Sequence, residues 1–316
     1  MNEPEVSDRR RGPAGPRSPA VATDFQPPAA TGAKESMRRS GPTTPVVVGA
    51  LSEGTISKRG DRLATEEPLE IRVAAGGGAR PVATTMRTPG NDFELAAGFL
   101  LSEGLISARH DVRRIVYCRD VPEGEQLFNV VTVELATPVL PDLTGFERHG
   151  TVSSACGVCG RASLDRLRER GVATLAAGRP RVELEVLYSL PDALRAAQSN
   201  FEATGGLHAA GLFQSDGTLL CAREDVGRHN AVDKVLGWAL MHDRLPLREH
   251  ILMVSGRAGF DIVEKAVGAG IAVVCAVSAP SSLAVATAEE FGATLVGFLR
   301  GQSVNIYSGA DRLIGG

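Results

Sequence analysis

What this chain lacks narrows its possible roles before any motif is read. No apolar run reaches the roughly 18 to 20 residues that a membrane-spanning helix needs. The longest, 271–279, is broken at Ser278 and bounded by Pro280, and it reads as a buried strand. Cysteine is scarce: Cys118, Cys156, Cys159, Cys221 and Cys275 form an odd set with one close pair, a poor basis for a secreted disulfide framework and a better match to a reducing cytoplasm. Surplus positive charge is also missing. With a formal net charge of −3, the chain has no global basic field, so neither nucleic acid nor a membrane surface is expected as a partner. Arg9, Arg10 and Arg11 suggest an export signal, yet Pro13, Pro16 and Pro19 occupy the place of its apolar segment, and a cytoplasmic location is expected.

What is present suits a soluble chain of 316 residues with 43% hydrophobic content, enough for one or two domains with a substantial core. Residues 1–45 hold eight of the 18 prolines and almost no apolar period, and are expected to be a disordered Pro/Ala/Arg-rich extension. Met37 offers a translation start just before the patterned region. Residues 46–150 read as a small α+β unit with strands at 69–73, 81–86, 114–118 and 128–135 around one helix. That helix is expected to start after Asn91 or Asp92 as the cap, to end near Gly104, and to turn Phe93, Ala97, Leu100 and Leu101 to the core.

Residues 151–316 alternate strands and helices. Helices are expected at 164–169, 191–203, 230–242, 261–267 and 282–291. A hairpin turning at Ser215-Asp216-Gly217 and strands at 251–254, 272–277 and 294–299 accompany them. The alternation predicts an α/β layered domain around a largely buried sheet.

Cys156 and Cys159 lie three positions apart in Ser153-Ser154-Ala155-Cys156-Gly157-Val158-Cys159-Gly160-Arg161, just before a helix. The small flanking residues admit a bulky cofactor or another macromolecule. Arg161 and the helix N-terminus favour the thiolate, the form that attacks sulfur electrophiles. Sulfur exchange competes here with a zinc site, a thioredoxin-like motif and two incidental thiols. Structural zinc needs a second ligand pair, which the chain lacks; no intrinsic metal is expected. The buried apolar strand that leads into a thioredoxin-like motif is missing before Cys156. Cys118, Cys221 and Cys275 sit in apolar strands, where inert buried thiols are the ordinary case.

Two loops carry anion-binding chemistry. Glu224-Asp225-Val226-Gly227-Arg228-His229-Asn230 follows a strand and opens a helix, with Lys234 one turn further on the same side as Asn230. Ser255-Gly256-Arg257-Ala258-Gly259 also joins a strand to a helix, so that backbone N–H groups and Arg257 can meet a phosphate. It is not a Walker A loop. Glu224 and Asp225 suit helix capping, and equally suit accepting the N1–H and N2–H₂ donors of a guanine. An ordinary strand-to-helix turn remains the alternative for the second loop.

Taken in order, Asn91 to Gly104, the Cys156 loop, Glu224 to Lys234, Ser255 to Lys265, Ser278-Ala279-Pro280, and Gly297 to Tyr307 resemble the motifs of the formate dehydrogenase accessory sulfurtransferases, the FdhD family. The resemblance runs from Val46 to the C-terminus. It implies an α/β fold with a three-layer cytidine-deaminase-like C-terminal domain, a homodimer, a cysteine desulfurase as sulfur donor, formate dehydrogenase as the protein served, and bis-molybdopterin guanine dinucleotide as the bound cargo. It implies a sulfurtransferase in which Cys156 carries the persulfide and Cys159 assists. It also gives Phe298, Leu299, Arg300, Gly301, Gln302 and Ser303 a role in cofactor binding, beside Asp225, Arg228, His229, Asn230, Lys234, Ser255, Gly256 and Arg257. A deaminase reaction is excluded by the motifs: no histidine is followed two positions later by Glu, and Ala155 stands where P-C-x-x-C needs proline. A non-catalytic cofactor-binding chaperone with passive thiols is the alternative function.

Overall fold

The computed structural model describes residues 39–118, 127–143 and 160–315. The expected disordered extension up to residue 38 and both cysteines of the close pair lie outside these residues.

The first element is a long hairpin, β1 (Thr43–Ser52) and β2 (Thr55–Ala64), which begins inside the stretch read as disordered. It carries exposed apolar residues such as Val47, Leu51 and Ile56. A four-stranded sheet follows, from β3 (Glu67–Ala75), β4 (Gly78–Arg87), β5 (Val112–Tyr117) and β6 (Val130–Leu135), in the order β4-β3-β6-β5. Its alternation is the expected one: Leu69, Ile71, Val73, Val131 and Val133 point inward and are fully buried, while the intervening side chains of β3 and β6 stay at least partly exposed.

Helix α1 (Asp92–Ser102) lies against this sheet. The expected single apolar face is too narrow, because Leu95, Ala96, Ala97, Gly98, Phe99, Leu100 and Leu101 are all buried. A helix covered on both sides is apolar nearly all round. The capping expectation is corrected as well. Asn91 is left-handed at φ 57° and makes no side-chain cap. Asp92 instead spends its carboxylate on a two-point pairing with buried Arg87, at 3.1 Å for each contact.

Short elements α2 (Gly160–Glu169) and β7 (Val182–Glu183) lead into α3 (Leu184–Ala196) and α4 (Ser199–Thr204). These replace the single helix expected at 191–203. Pro191 is inside α3, and the chain breaks at Ala197 and Gln198, where it was expected to run on.

The main sheet then forms from β8 (His208–Gln214), β9 (Leu219–Asp225), β10 (His250–Val254), β11 (Val273–Ala276), β12 (Thr294–Arg300) and β13 (Ser303–Ser308), in the order β13-β12-β11-β10-β8-β9. Strands β10, β11 and β12 are parallel, joined through α6 (Phe260–Gly268) and α7 (Ser282–Glu290). Helix α5 (Arg228–Met241) follows β9. The last strand, β14 (Leu313–Ile314), pairs with β7.

Both faces of the main sheet are buried. On one, Leu212, Leu252, Val274 and Leu295 pack with α1, α5, α6 and α7; on the other, Phe213, Ile251, Met253 and Val296 pack with Leu187, Leu190 and Leu194 of α3. The first of these cores is continuous with the interior of the four-stranded sheet. Two glycines allow this. A methyl group on Gly98 would collide with the Asp233 carbonyl, and one on Gly237 with the Glu94 carbonyl, so α1 and α5 cross backbone to backbone.

Candidate functional site

Strand directions decide which residues meet. β8 runs antiparallel to both β9 and β10, so His208 at its start lies beside Asp225 at the end of β9, and Val254 at the end of β10 lies beside Ala210. The carboxyl ends of β11 and β12 fall on the same edge, with the Phe298 N–H donating to the Ser278 carbonyl at 3.2 Å. This is the edge where open α/β sheets gather ligands. It collects the strand ends after Asp225, Val254, Ala276 and Arg300, and with them both expected anion-binding loops.

The two acids do not offer a guanine edge. Asp225 is fully buried. One of its oxygens accepts from the Gly227 N–H at 2.9 Å and the Asn230 amide at 3.0 Å; the other accepts from the Thr88 N–H at 3.2 Å and lies 2.7 Å from Lys234 Nζ. Lys234 also donates to the carbonyls of Thr88 and Glu224, and Asn230 donates to the Met86 carbonyl. Glu224 holds α4 through the backbone N–H groups of Asn200 and Phe201. Asp225, Asn230, Lys234 and Glu224 therefore tie the four-stranded sheet, α4 and α5 together, and their hydrogen-bonding capacity is spent inside the fold.

The cationic residues behave differently. Arg228 Nε and His229 Nε2 are buried atoms without a hydrogen-bond partner. His229 Nε2 lies 3.2 Å from an Asp261 oxygen, and this contact holds the Asp261 carboxyl below its usual range. His208 is half-buried; burial, then the charges of Arg228 and His229, push its pKa below 6.5. Between His208 and Arg228 runs Gly256, where a Cβ would come 3.3 Å from the imidazole and 3.9 Å from Arg228 Cδ. Ser255 is held by its hydroxyl, which accepts from the Ala209 N–H at 2.9 Å. Arg257 is exposed. Buried donors and clustered positive charge beside a bare glycine backbone suit an anion.

A cleft of about 700 Å³ opens beside this point, between the end of α3, α4 and the ends of β8 and β10. Ser255 and His208 form one part of its wall, and Gln198, Phe201, Arg195 and Asp192 another. Of these, only Ser255 was expected from the sequence. The turn after β12 presents Phe298, Arg300, Gly301, Gln302 and Ser303 to solvent, with Phe298 at φ 52°. Leu299 departs from the expected role, since its side chain is fully buried in the α3-side core and only its backbone can face a ligand.

A family model for the FdhD/NarQ family matches residues 64–314. The chain belongs to the FdhD/NarQ family. It is 54% identical to a sulfur carrier protein FdhD of Streptomyces coelicolor over 266 residues, 83% of this chain and 93% of that one. It is 46% identical to the protein of the same name from Saccharolobus solfataricus, covering 81% and 92% of the two chains. Among solved structures, a formate dehydrogenase accessory protein from Desulfotalea psychrophila superposes with a TM-score of 0.66 over 86% of this chain and 99% of that one, at 24% identity. That last likeness concerns the fold.

In this FdhD/NarQ chain the buried thiols Cys221 and Cys275 are poor nucleophiles. Burial pushes Cys221 up to about 12 and raises Cys275 further. Among the described residues, no group of three or more His, Cys, Asp or Glu side chains is placed to hold a metal, and no helix is long and apolar enough to cross a membrane.

Proposed function

We propose that the chain is a sulfur carrier that loads sulfur onto a nucleotide-bearing molybdenum cofactor for formate dehydrogenase. The observation that carries the cofactor half is the unpartnered buried donor Arg228 Nε, beside the bare Gly256 backbone and the cleft. Buried donors without acceptors are rare and invite an anion to complete them. A pyrophosphate supplies that anion, and bis-molybdopterin guanine dinucleotide contains it. The family relationship supports the sulfur half.

In this reading the Cys156 thiolate attacks the sulfane sulfur of a cysteine desulfurase persulfide. A new S–S bond forms at Cys156, the donor's S–S bond breaks, and the donor leaves as thiolate. Cys159 then attacks the Cys156 sulfur, releasing the outer sulfur as sulfide toward the cofactor and leaving a Cys156–Cys159 disulfide. A dithiol reductant reopens it. The cargo is bound as substrate, and the chain needs no metal of its own. A homodimer in the cytoplasm, with cytidine-deaminase-like layering of residues 151–316, completes the reading.

The test has two arms. Calorimetry with GDP and ADP should show preference for GDP, and Arg257→Ala should weaken GDP about tenfold or more through loss of a charge-assisted contact. In cells lacking the native gene, Cys156→Ala should fail to restore formate dehydrogenase activity. Full restoration would mark a passive chaperone, and equal affinity for the two nucleotides would remove the guanine assignment.

A further inference from the structure

With Glu224 and Asp225 committed to the fold, no carboxylate in the two loops is left to read a base. The structure offers other groups for that task, all on the α3–α4 wall of the cleft. Gln198 is 4% exposed, it lines the cleft, and its side-chain amide has no partner among the described residues. A primary amide carries two donors and an acceptor, and neither amide atom of Gln198 is sealed off from the cleft it lines. Nearby, the Arg195 guanidinium lies 4.2 Å over the Phe201 ring. Both side chains line the cleft, and a guanidinium or an aromatic ring is a surface on which a planar heterocycle can stack. Asp192, one turn before Arg195 on α3, is an exposed carboxylate on the same wall.

We propose that the purine of the bound nucleotide lies against the Arg195–Phe201 platform, with its Watson–Crick edge hydrogen-bonded by the Gln198 amide and its guanine identity read by the Asp192 carboxylate. This rests on the nucleotide reading given above and goes beyond it by naming the base subsite. The wall's two polar groups have different tasks. The Gln198 amide donates to O6 of guanine, and after a flip its oxygen accepts equally from the N6–H₂ of adenine. Gln198 therefore supplies affinity without choosing between purines. An ionised carboxylate only accepts. It is satisfied by the N1–H and N2–H₂ of guanine, and it meets the N1 lone pair of adenine with repulsion. Discrimination falls to Asp192. The cleft of about 700 Å³ lies in the range that holds a drug-sized or nucleotide ligand. Because Ser255 and His208 form another part of its wall, a base on the platform leaves the phosphates to the Gly256 and Arg228 side.

Calorimetry on the full chain with GDP, ADP and inorganic pyrophosphate tests this. Gln198→Met, close in volume, should weaken GDP and ADP alike by about tenfold, the worth of one or two neutral hydrogen bonds, and leave pyrophosphate within about twofold. Asp192→Asn should bring the GDP and ADP affinities together with pyrophosphate unchanged. Asp192 is exposed, so this variant keeps the test alive if Gln198→Met does not fold. Pyrophosphate binding with GDP affinity untouched by either change overturns the assignment alone. A wild-type chain that binds neither GDP nor pyrophosphate overturns the nucleotide reading and this assignment with it.

Discussion

Lys234→Met should behave as a folding defect and not as a binding defect. In the wild-type protein Lys234 Nζ lies 2.7 Å from Asp225 in a pair whose side chains are 2% and 0% exposed. It also donates to the carbonyls of Thr88 at 2.9 Å and Glu224 at 3.2 Å. Methionine fills most of the volume and leaves Asp225 charged, buried and short of one cation. Breaking a buried pair from one side costs about 3–5 kcal/mol. For a chain of this size each kcal/mol lowers Tm by about 2–4 °C, so a fall of about 6–20 °C is expected by calorimetric or fluorescence melting. Adding Asp225→Asn removes the stranded charge, and the double variant should lose clearly less than the sum of the two singles. GDP affinity, measured well below the melting temperature, should stay within about twofold, because this cluster holds the four-stranded sheet to α5 and faces no ligand. An unchanged Tm together with a selective loss of GDP binding would refute the assignment and return Lys234 to the binding cleft.

Gly237→Ala forces a methyl group into the Glu94 carbonyl, an overpacking at a backbone contact expected to cost about 1–3 kcal/mol or more; a urea melt equal to wild type would contradict the crossing. Native protein treated with iodoacetamide should leave Cys221 and Cys275 unmodified until urea is added, because burial raises both thiols. Burial also lowers the pKa of His208 and His250 below 6.5 in the folded chain. Between those lowered values and 6.5 the unfolded state binds more protons, so stability is complete above about pH 6.5 and declines as the pH falls below it. Urea midpoints at pH 7.5 and 5.5 measure this, and His208→Gln with His250→Gln should flatten the slope.

The layered fold was legible because the signals are local. Alternating Leu69, Ile71 and Val73 mark a strand covered on one face, and the continuous run at 271–277 marks one covered on both. The hairpin of β1 and β2 was hidden by prolines and by strands that leave most of their side chains exposed, and so show no clean period. The helix break at Gln198 and the tolerance of Pro191 inside α3 are tertiary outcomes without a local mark. Charge and glycine singled out two loops that the sheet gathers at one edge, yet they could not tell Arg228, left with an unpartnered atom, from Asp225, whose acceptors are filled by Thr88 and Lys234. Thr88 is 137 residues from Asp225 in the chain. Gln198, Arg195 and Phe201 carry no motif at all. They line the cleft because α3 and α4 pack beside β8 and β10, which only the three-dimensional arrangement displays.

Intact-mass measurement tests the central claim most directly. The wild-type chain incubated with a cysteine desulfurase and cysteine should gain the mass of one sulfur, removable by a dithiol reductant. Cys159→Ala should gain it too, and hold it longer for want of the resolving thiol. Cys156→Ala should gain none. A sulfur adduct that persists in Cys156→Ala, or a wild-type chain that never takes one up, would contradict the account.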